Sequence, residues 1–103
     1  MTPMTPAPLD FHPMAIAEAR AARRRYARRS GALAIRFLAE LDRAVAEIAR
    51  APDQWPPHLH GTRVFRLRRF PFLVIYDVRS GSARVVALAH TSRRPGYWRR
   101  RLP

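Results

Sequence analysis

Residues able to do chemistry are concentrated in the final segment, "HTSRRPGYWRRRLP", from His90 to Pro103. An imidazole such as that of His90 can act in proton transfer, and the phenol of Tyr97 can donate a proton. Arginine side chains match phosphate oxygens in a bidentate geometry. Cleavage of RNA without a metal needs a base for the 2′-hydroxyl, an acid for the leaving oxygen and cations for the phosphate charge. The candidate nuclease set is therefore His90, Arg93, Tyr97 and Arg68.

The same residue types also fit a binding role or a structural role. Tyr97 and Trp98 are aromatic anchors of the kind enriched in binding hot spots, and their rings would also stack on bases. Alternatively, the two rings fold back to cover the sheet edge, and His90 caps the end of a strand by a hydrogen bond. The residues alone leave these roles open. The predicted target-binding set is Arg66, Arg68, Arg69, His90, Arg93, Arg94, Tyr97 and Trp98.

The positive charge of the chain comes wholly from arginine. The 103 residues carry a net charge of +13, and all 20 basic residues are Arg. Such an excess favours a polyanionic partner, either a nucleic acid or an acidic protein, although part of it is also explained as solvated surface. The charge by itself identifies no target.

Several classes of site are excluded or unsupported by the residue types. The chain has no cysteine, so disulfides, thiol nucleophiles and thiolate metal sites are absent. The His58 and His60 pair has no nearby acidic or thiol ligand, and no Ser/His/Asp grouping is present. We therefore predict no bound metal and no cofactor. The stretch around the two histidines is predicted to be a surface loop with a tucked Trp55.

The chain is predicted to be a single cytoplasmic domain. Residues 1–8, "MTPMTPAP", are typical of a flexible leader, and residues 9–103 form the domain. No apolar run approaches the roughly 20 residues of a membrane span, and the start of the chain lacks the pattern of a signal peptide. We expect no membrane partner.

Two helices must precede the sheet that carries most of the candidate residues. Pro13 suits a first helical turn, and the Ala- and Arg-rich run to about Arg29 predicts the first helix. After Ser30 and Gly31, residues 32–50 repeat apolar positions at helical spacing, opposite a ladder of alternating charges. So short a turn predicts an antiparallel helical hairpin, and the charge ladder of the second helix needs no functional explanation.

After Gly61 the apolar period changes from helical spacing to two. The stretches "TRVFRLRRF", "PFLVIYDV" and "ARVVALAH" predict three antiparallel strands, with "RSGS" as the hairpin turn between the last two. A short strand is also predicted at Leu9 to His12. The expected fold is α+β: a short N-terminal strand, a two-helix hairpin and a three-stranded antiparallel meander with a C-terminal segment. The helices must cover one sheet face, because three strands alone bury too little.

Four stretches in this order resemble the RelE/ParE family of bacterial toxins from type II toxin-antitoxin systems. They are "FHPMAIAEA", "FLAELDRAVAEIARAPDQWP", "VFRLRRFPFLVIYDV" and "VVALAHTSRRPGYW". The likeness runs from Phe11 to Trp98. It implies a small sheet packed on a helical hairpin, and an acidic antitoxin, encoded alongside, whose C-terminal segment wraps the toxin. The excess of positive charge would steer such a partner.

The resemblance implies two different activities within the family. RelE-like members cleave messenger RNA at the ribosome with clustered basic residues, whereas ParE-like members poison DNA gyrase; such systems also stabilise plasmids. This chain has no lysine and no obvious glutamate base near the sheet, and its "AHTSRRPGYW" ending is closer to the ParE side. The ParE-like reading is therefore favoured. A ribosome-dependent endoribonuclease and a non-toxic degenerate member remain the alternatives.

Antitoxin binding is predicted along a groove between the helices and the sheet. A stripe of small side chains, Ala15, Ala19 and Ala22, and an arginine-rich rim of the first helix motivate this expectation. The predicted antitoxin-binding residues are Arg20, Arg24, Arg28 and Tyr26. Oligomers are expected only through the antitoxin.

Overall fold

The computed structural model describes residues 9–103, which form one four-stranded mixed sheet with two helices on one face. The predicted leader, residues 1–8, lies outside the described residues. The elements, in chain order, are β1 (Asp10–Phe11), α1 (Pro13–Arg29), α2 (Gly31–Arg50), β2 (Arg63–Arg66), β3 (Phe72–Arg79) and β4 (Ser82–His90). This architecture confirms the predicted α+β fold, including the short first strand.

The helical hairpin is set by its caps. The His12 imidazole accepts a hydrogen bond from the Met14 N–H at 3.0 Å, and Pro13 occupies the first position of α1. Ser30 is the only residue between the helices, and its hydroxyl accepts from the Leu33 N–H at 3.3 Å. One serine therefore ends α1 and begins α2, which confirms the predicted short turn.

The sheet order is β1-β4-β3-β2, so the three-stranded meander gains a fourth strand from the N-terminal side. β1 pairs with β4 in parallel, with Asp10 opposite Arg84 and Phe11 opposite Val85. The β3–β4 hairpin turns at Ser80 and Gly81, whose φ angles are 50° and 78°. Two positive φ angles in a two-residue loop match the right-handed twist of the strands, which is why "RSGS" predicts this turn correctly.

The main core lies between the helices and the sheet. Phe37, Ile48 and Val74 have 0% of their surface exposed, and Ala15 and Ala22 of α1 are buried with them. Small side chains allow α1 to lie close to β4. The alanine stripe therefore packs against the sheet. It does not line an open groove, which is what we expected from the sequence.

The opposite face of the sheet has its own small core. Ile75, Val86, Ala87 and Ala89 pack there against Trp98, of which 2% is exposed. The chain turns back after β4 and lays this ring over the sheet. Trp98 thus has the covering role that we considered beside target contact, because its ring is buried against the sheet.

Neither helix of the described residues combines the length with the hydrophobicity that a membrane span requires.

Candidate functional site

Exposed arginines from three segments meet at one end of the sheet. This end holds the last turn of α1, the β2–β3 connection and the turn that follows β4. We call the exposed arginines of these segments the arginine end: Arg28, Arg29, Arg68, Arg69, Arg93 and Arg94.

An aromatic cluster holds the three segments together. The Tyr26 ring of α1 lies 5.0 Å from the Phe70 ring and 6.4 Å from the Phe72 ring, centroid to centroid. Phe72 in turn meets the His90 ring edge-on at 5.2 Å. The Thr91 N–H donates to the Pro71 carbonyl at 2.9 Å, which joins the turn after β4 to the β2–β3 connection. Tyr26 is thus a half-buried packing residue at the place where we predicted an antitoxin contact.

His90 lies in a turn that uses one of its ring nitrogens. Its Nδ1 accepts from the Ser92 N–H at 3.0 Å and lies 2.7 Å from the Ser92 hydroxyl oxygen. This is the capping arrangement that we considered beside the catalytic one. It places Arg93 and Arg94 directly after the strand end.

Tyr97 belongs to a buried polar network around Glu18 of α1. Its hydroxyl donates to one Glu18 carboxylate oxygen, and Arg101 donates to both oxygens at 2.7 and 3.1 Å. Burial, together with the hydrogen bond to Glu18, raises the pKa of the Tyr97 phenol well above its usual value of 10.0. The Arg93 guanidinium lies 3.9 Å from the centre of the Tyr97 ring, a cation–π contact. We call Glu18, Tyr97 and Arg101 the carboxylate clasp.

The clasp also satisfies backbone groups at an irregular point of the sheet. Ile75 pairs with Ala87 and Tyr76 with Val85, so Val86 is an extra residue in β4, a β-bulge. The Glu18 carboxylate accepts from the Leu88 N–H at 3.1 Å, and Arg101 donates to the Val86 carbonyl at 3.2 Å. The sequence analysis missed Glu18, because a lone glutamate among alanines and arginines gives no sign of a partner 70 residues away.

A groove of about 610 Å³ runs between α2 and the β2–β3 side of the sheet. Apolar side chains, among them Leu33, Phe65 and Leu67, line it together with cations. The charged lining residues are Arg36, Glu40, Arg43, Glu47, Arg68 and Arg69.

Residues of the α2 charge ladder therefore form one wall of this groove, with Arg36 and Arg43 exposed. Glu40 accepts from the Arg68 N–H at 2.7 Å and from the Arg69 N–H at 3.2 Å, which orients the β2–β3 connection. Glu47 pairs with Arg50. Both carboxylates thus have partners, whereas Arg36 and Arg43 form no ion pair with any of the described residues.

The remaining predicted positions are more dispersed. Arg20 and Arg24 are exposed on α1, and Arg66 is exposed at the end of β2. His58 and His60 lie against the Trp98 ring at 6.1 and 5.9 Å between centroids. No group of three or more metal-ligating side chains occurs within residues 9–103.

A comparison with family models matches residues 9–95 to "ParE toxin of type II toxin-antitoxin system, parDE". The chain belongs to the ParE toxin family. The matched residues include both helices, all four strands, Glu18 and the whole arginine end, and they stop before Tyr97. Among curated proteins no match was found.

A solved structure supports the ParE fold. The chain is similar to the structure titled "Chromosomal ParDE TA system from P. aeruginosa", with a TM-score of 0.72 and 18% sequence identity. The match covers 82% of this chain and 96% of that one. At this identity the likeness shows the fold alone, and the fold agrees with that of the ParE family.

Proposed function

We propose that this ParE-family toxin inhibits growth by binding DNA gyrase, and that an acidic antitoxin encoded beside it neutralises it by occupying the groove along α2. Both partners belong to the cytoplasm, where we place the chain. The observation that supports binding over catalysis is that both candidate proton-transfer groups already take part in hydrogen bonds within the fold. The Tyr97 hydroxyl donates to Glu18, and His90 Nδ1 accepts within its own turn.

Nuclease chemistry gains little support from this arrangement. A phenol with a raised pKa that already donates to a carboxylate is a poor proton source for a leaving oxygen. His90 is tied to the turn that it caps. The arginines nearby remain exposed, which suits contact with a macromolecular surface.

The gyrase proposal is tested by a supercoiling assay with the purified toxin. We expect inhibition at protein levels comparable to those that arrest growth. Messenger RNA ends are mapped after induction in the same strain. Unimpaired supercoiling together with new codon-positioned cuts would replace the proposal with a ribosome-dependent endoribonuclease. Expression without growth arrest would indicate a non-toxic member.

The groove along α2 supports the antitoxin part of the proposal. Its apolar lining fits one face of a partner helix or strand, and Arg36 and Arg43 at its edge fit acidic side chains. Because its carboxylates already have partners, the rim presents positive charge to an approaching segment.

Two exposed alanines of α2 allow a matched test of this groove. Ala39 lines it, and Ala46 is exposed on the same helix outside the lining. We expect Ala39→Glu to weaken antitoxin binding at least tenfold, a loss of about 1.4 kcal/mol, and Ala46→Glu to change it little. Equal effects of the two substitutions on the dissociation constant would place the antitoxin elsewhere.

Combined charge reversal of Arg20, Arg24 and Arg28 at low salt measures the electrostatic contribution of α1 to antitoxin binding.

A further inference from the structure

We propose that the arginine end is a docking surface for the sugar–phosphate backbone of duplex DNA. The inference rests on the proposed function and deepens it, because a toxin bound to gyrase meets the duplex that gyrase holds. The proposal adds a second partner at a surface that adjoins the groove along α2, since Arg68 and Arg69 belong to both.

The charge of this end is not compensated by the chain. Within residues 9–103 four ion pairs form, and their arginines are Arg50, Arg79, Arg84 and Arg101. None of these belongs to the arginine end. Glu40, the carboxylate that contacts the β2–β3 connection, is engaged by the backbone N–H groups of Arg68 and Arg69. Apart from Arg93, whose guanidinium lies over the Tyr97 ring, the exposed guanidinium groups of this end therefore remain available to an external anion.

The surface is held in place before any partner arrives. Contacts of Tyr26 with Phe70 and of Phe72 with His90 fix the α1 end and the β2–β3 connection against β4. The Arg93 N–H donates to the His90 carbonyl at 2.9 Å, which fixes the turn that follows. Such preorganisation lowers the entropic cost of ordering the surface on binding.

The types of exposed residue favour a duplex over a single strand. Single-stranded nucleic acids bind through aromatic platforms on which bases stack. The large apolar residues exposed within the described part of the chain are Met14, Ile16, Ile35 and Leu59, and none of them is aromatic. The aromatic rings beside the arginines are packed into the fold instead. This leaves contacts to phosphate, which position a protein on duplex DNA without reading its sequence.

Two variants of equal net charge test the site. Arg68→Gln with Arg94→Gln removes two cations of the arginine end. Arg50→Gln with Arg79→Gln removes two exposed cations from the α2 end and the β3–β4 hairpin, at the far end of the sheet. Either change lowers the net charge from +13 to +11. Binding of each protein to a short labelled duplex is measured by fluorescence anisotropy over a series of salt concentrations, with polyglutamate as a competing polyanion.

We expect the slope of log affinity against log salt to fall by about two in the arginine-end variant, and to stay at the wild-type value in the control. An equal fall in both variants, or no duplex binding at low salt, would overturn the site. Stronger competition by polyglutamate than by unlabelled duplex at equal charge would overturn duplex DNA as the occupant.

Supercoiling inhibition by the wild-type toxin, measured separately, distinguishes this inference from the proposed function. Inhibition without duplex binding would remove the docking surface and leave the gyrase target. Duplex binding with the expected variant pattern but without inhibition would support the docking surface and remove the gyrase target.

Discussion

At the scale of single residues, Glu18 makes the most connections of any carboxylate that the structure describes. Its two oxygens accept from the Leu88 backbone, the Tyr97 phenol and both terminal nitrogens of Arg101. The Glu18 and Arg101 side chains are only 15% and 13% exposed. Removing the carboxylate would leave the Arg101 guanidinium without its counter-charge and the Leu88 N–H without a partner in a poorly solvated place, which is costly.

We expect Glu18→Ala to lower the free energy of unfolding by about 3 kcal/mol, because Arg101 loses its counter-charge inside the fold. Glu47→Ala is the matched control. Glu47 pairs with Arg50, whose side chain is 66% exposed, so the loss should be below about 1 kcal/mol. Urea unfolding of the three proteins gives both values. A similar loss in the two variants would show that the clasp contributes no more than a surface pair.

The buried tyrosines predict loss of stability in alkali. Burial raises the pKa of Tyr76 to about 12, and burial with the Glu18 hydrogen bond raises that of Tyr97 further. A folded-state pKa above the unfolded value of 10.0 favours the protonated fold. The stabilisation is therefore complete below pH 10 and is lost as the pH rises through the folded-state pKa.

Urea midpoints measured between pH 9 and pH 11 check this dependence. We expect the midpoint of the wild-type protein to fall above about pH 10, and that of Tyr97→Phe to fall less steeply, since this variant cannot release the phenolic proton. Parallel curves for the two proteins would mean that Tyr97 does not titrate with folding.

At the scale of elements, the C-terminal segment acts as a cover for the outer face of the sheet. Its return after β4 depends on Gly96, whose φ is 78°. A Cβ on Gly96 would lie 3.4 Å from His60 Nε2, so the turn also sits close against the loop before β2. Trp98 then completes the second core two residues later.

Gly96→Ala should lower the free energy of unfolding by about 1–2 kcal/mol, because an L-residue in this backbone region is strained. Gly31→Ala serves as the contrasting change. Gly31 begins α2 with nothing within 4 Å of an added Cβ, and alanine there should be neutral or stabilise by up to about 1 kcal/mol. Thermal unfolding shows whether each substitution stabilises or destabilises the protein. Destabilisation by both substitutions would argue against strain at Gly96 as the cause.

Local sequence patterns predicted most helices and strands, but they did not predict which distant elements pair with each other. Residues close in sequence determine the helix bounds, the break between the helices at Ser30 and the Ser80–Gly81 turn, because helix propensity and turn chemistry are local. The parallel pairing of Asp10 with Arg84 joins residues far apart and has no local sign. The arginines of the candidate surface were recognised by type. The roles of Glu40 and Glu18 were missed, because each depends on a partner that only the fold brings near.

At the scale of the whole molecule, the uneven distribution of charge is the dominant property. A net charge of +13 on 103 residues repels itself, and six of these cations meet at one end. Such repulsion weakens the compact state and favours the approach of anionic partners. The same arrangement thus opposes stability and promotes binding.

Added salt should therefore stabilise the protein. Screening shortens the Debye length from about 10 Å at 0.1 M to about 3 Å at 1 M, so repulsion between the arginines declines. We expect Tm to rise between low and high sodium chloride, and to rise less in the Arg68→Gln, Arg94→Gln variant. Differential scanning calorimetry measures both shifts. A constant or falling Tm in the wild-type protein would show that self-repulsion is not a significant cost.

The carboxylate clasp joins the beginning of the domain to its end, and this determines when the fold can be completed during synthesis. Glu18 leaves the ribosome early, but its partners Leu88, Tyr97 and Arg101 emerge 70 to 83 residues later. The hydrogen bond from the His12 N–H to the Val85 carbonyl likewise cannot form until β4 has been synthesised. A nascent chain therefore has no complete arginine end until β4 and the turn after it, which carries Arg93 and Arg94, have been made.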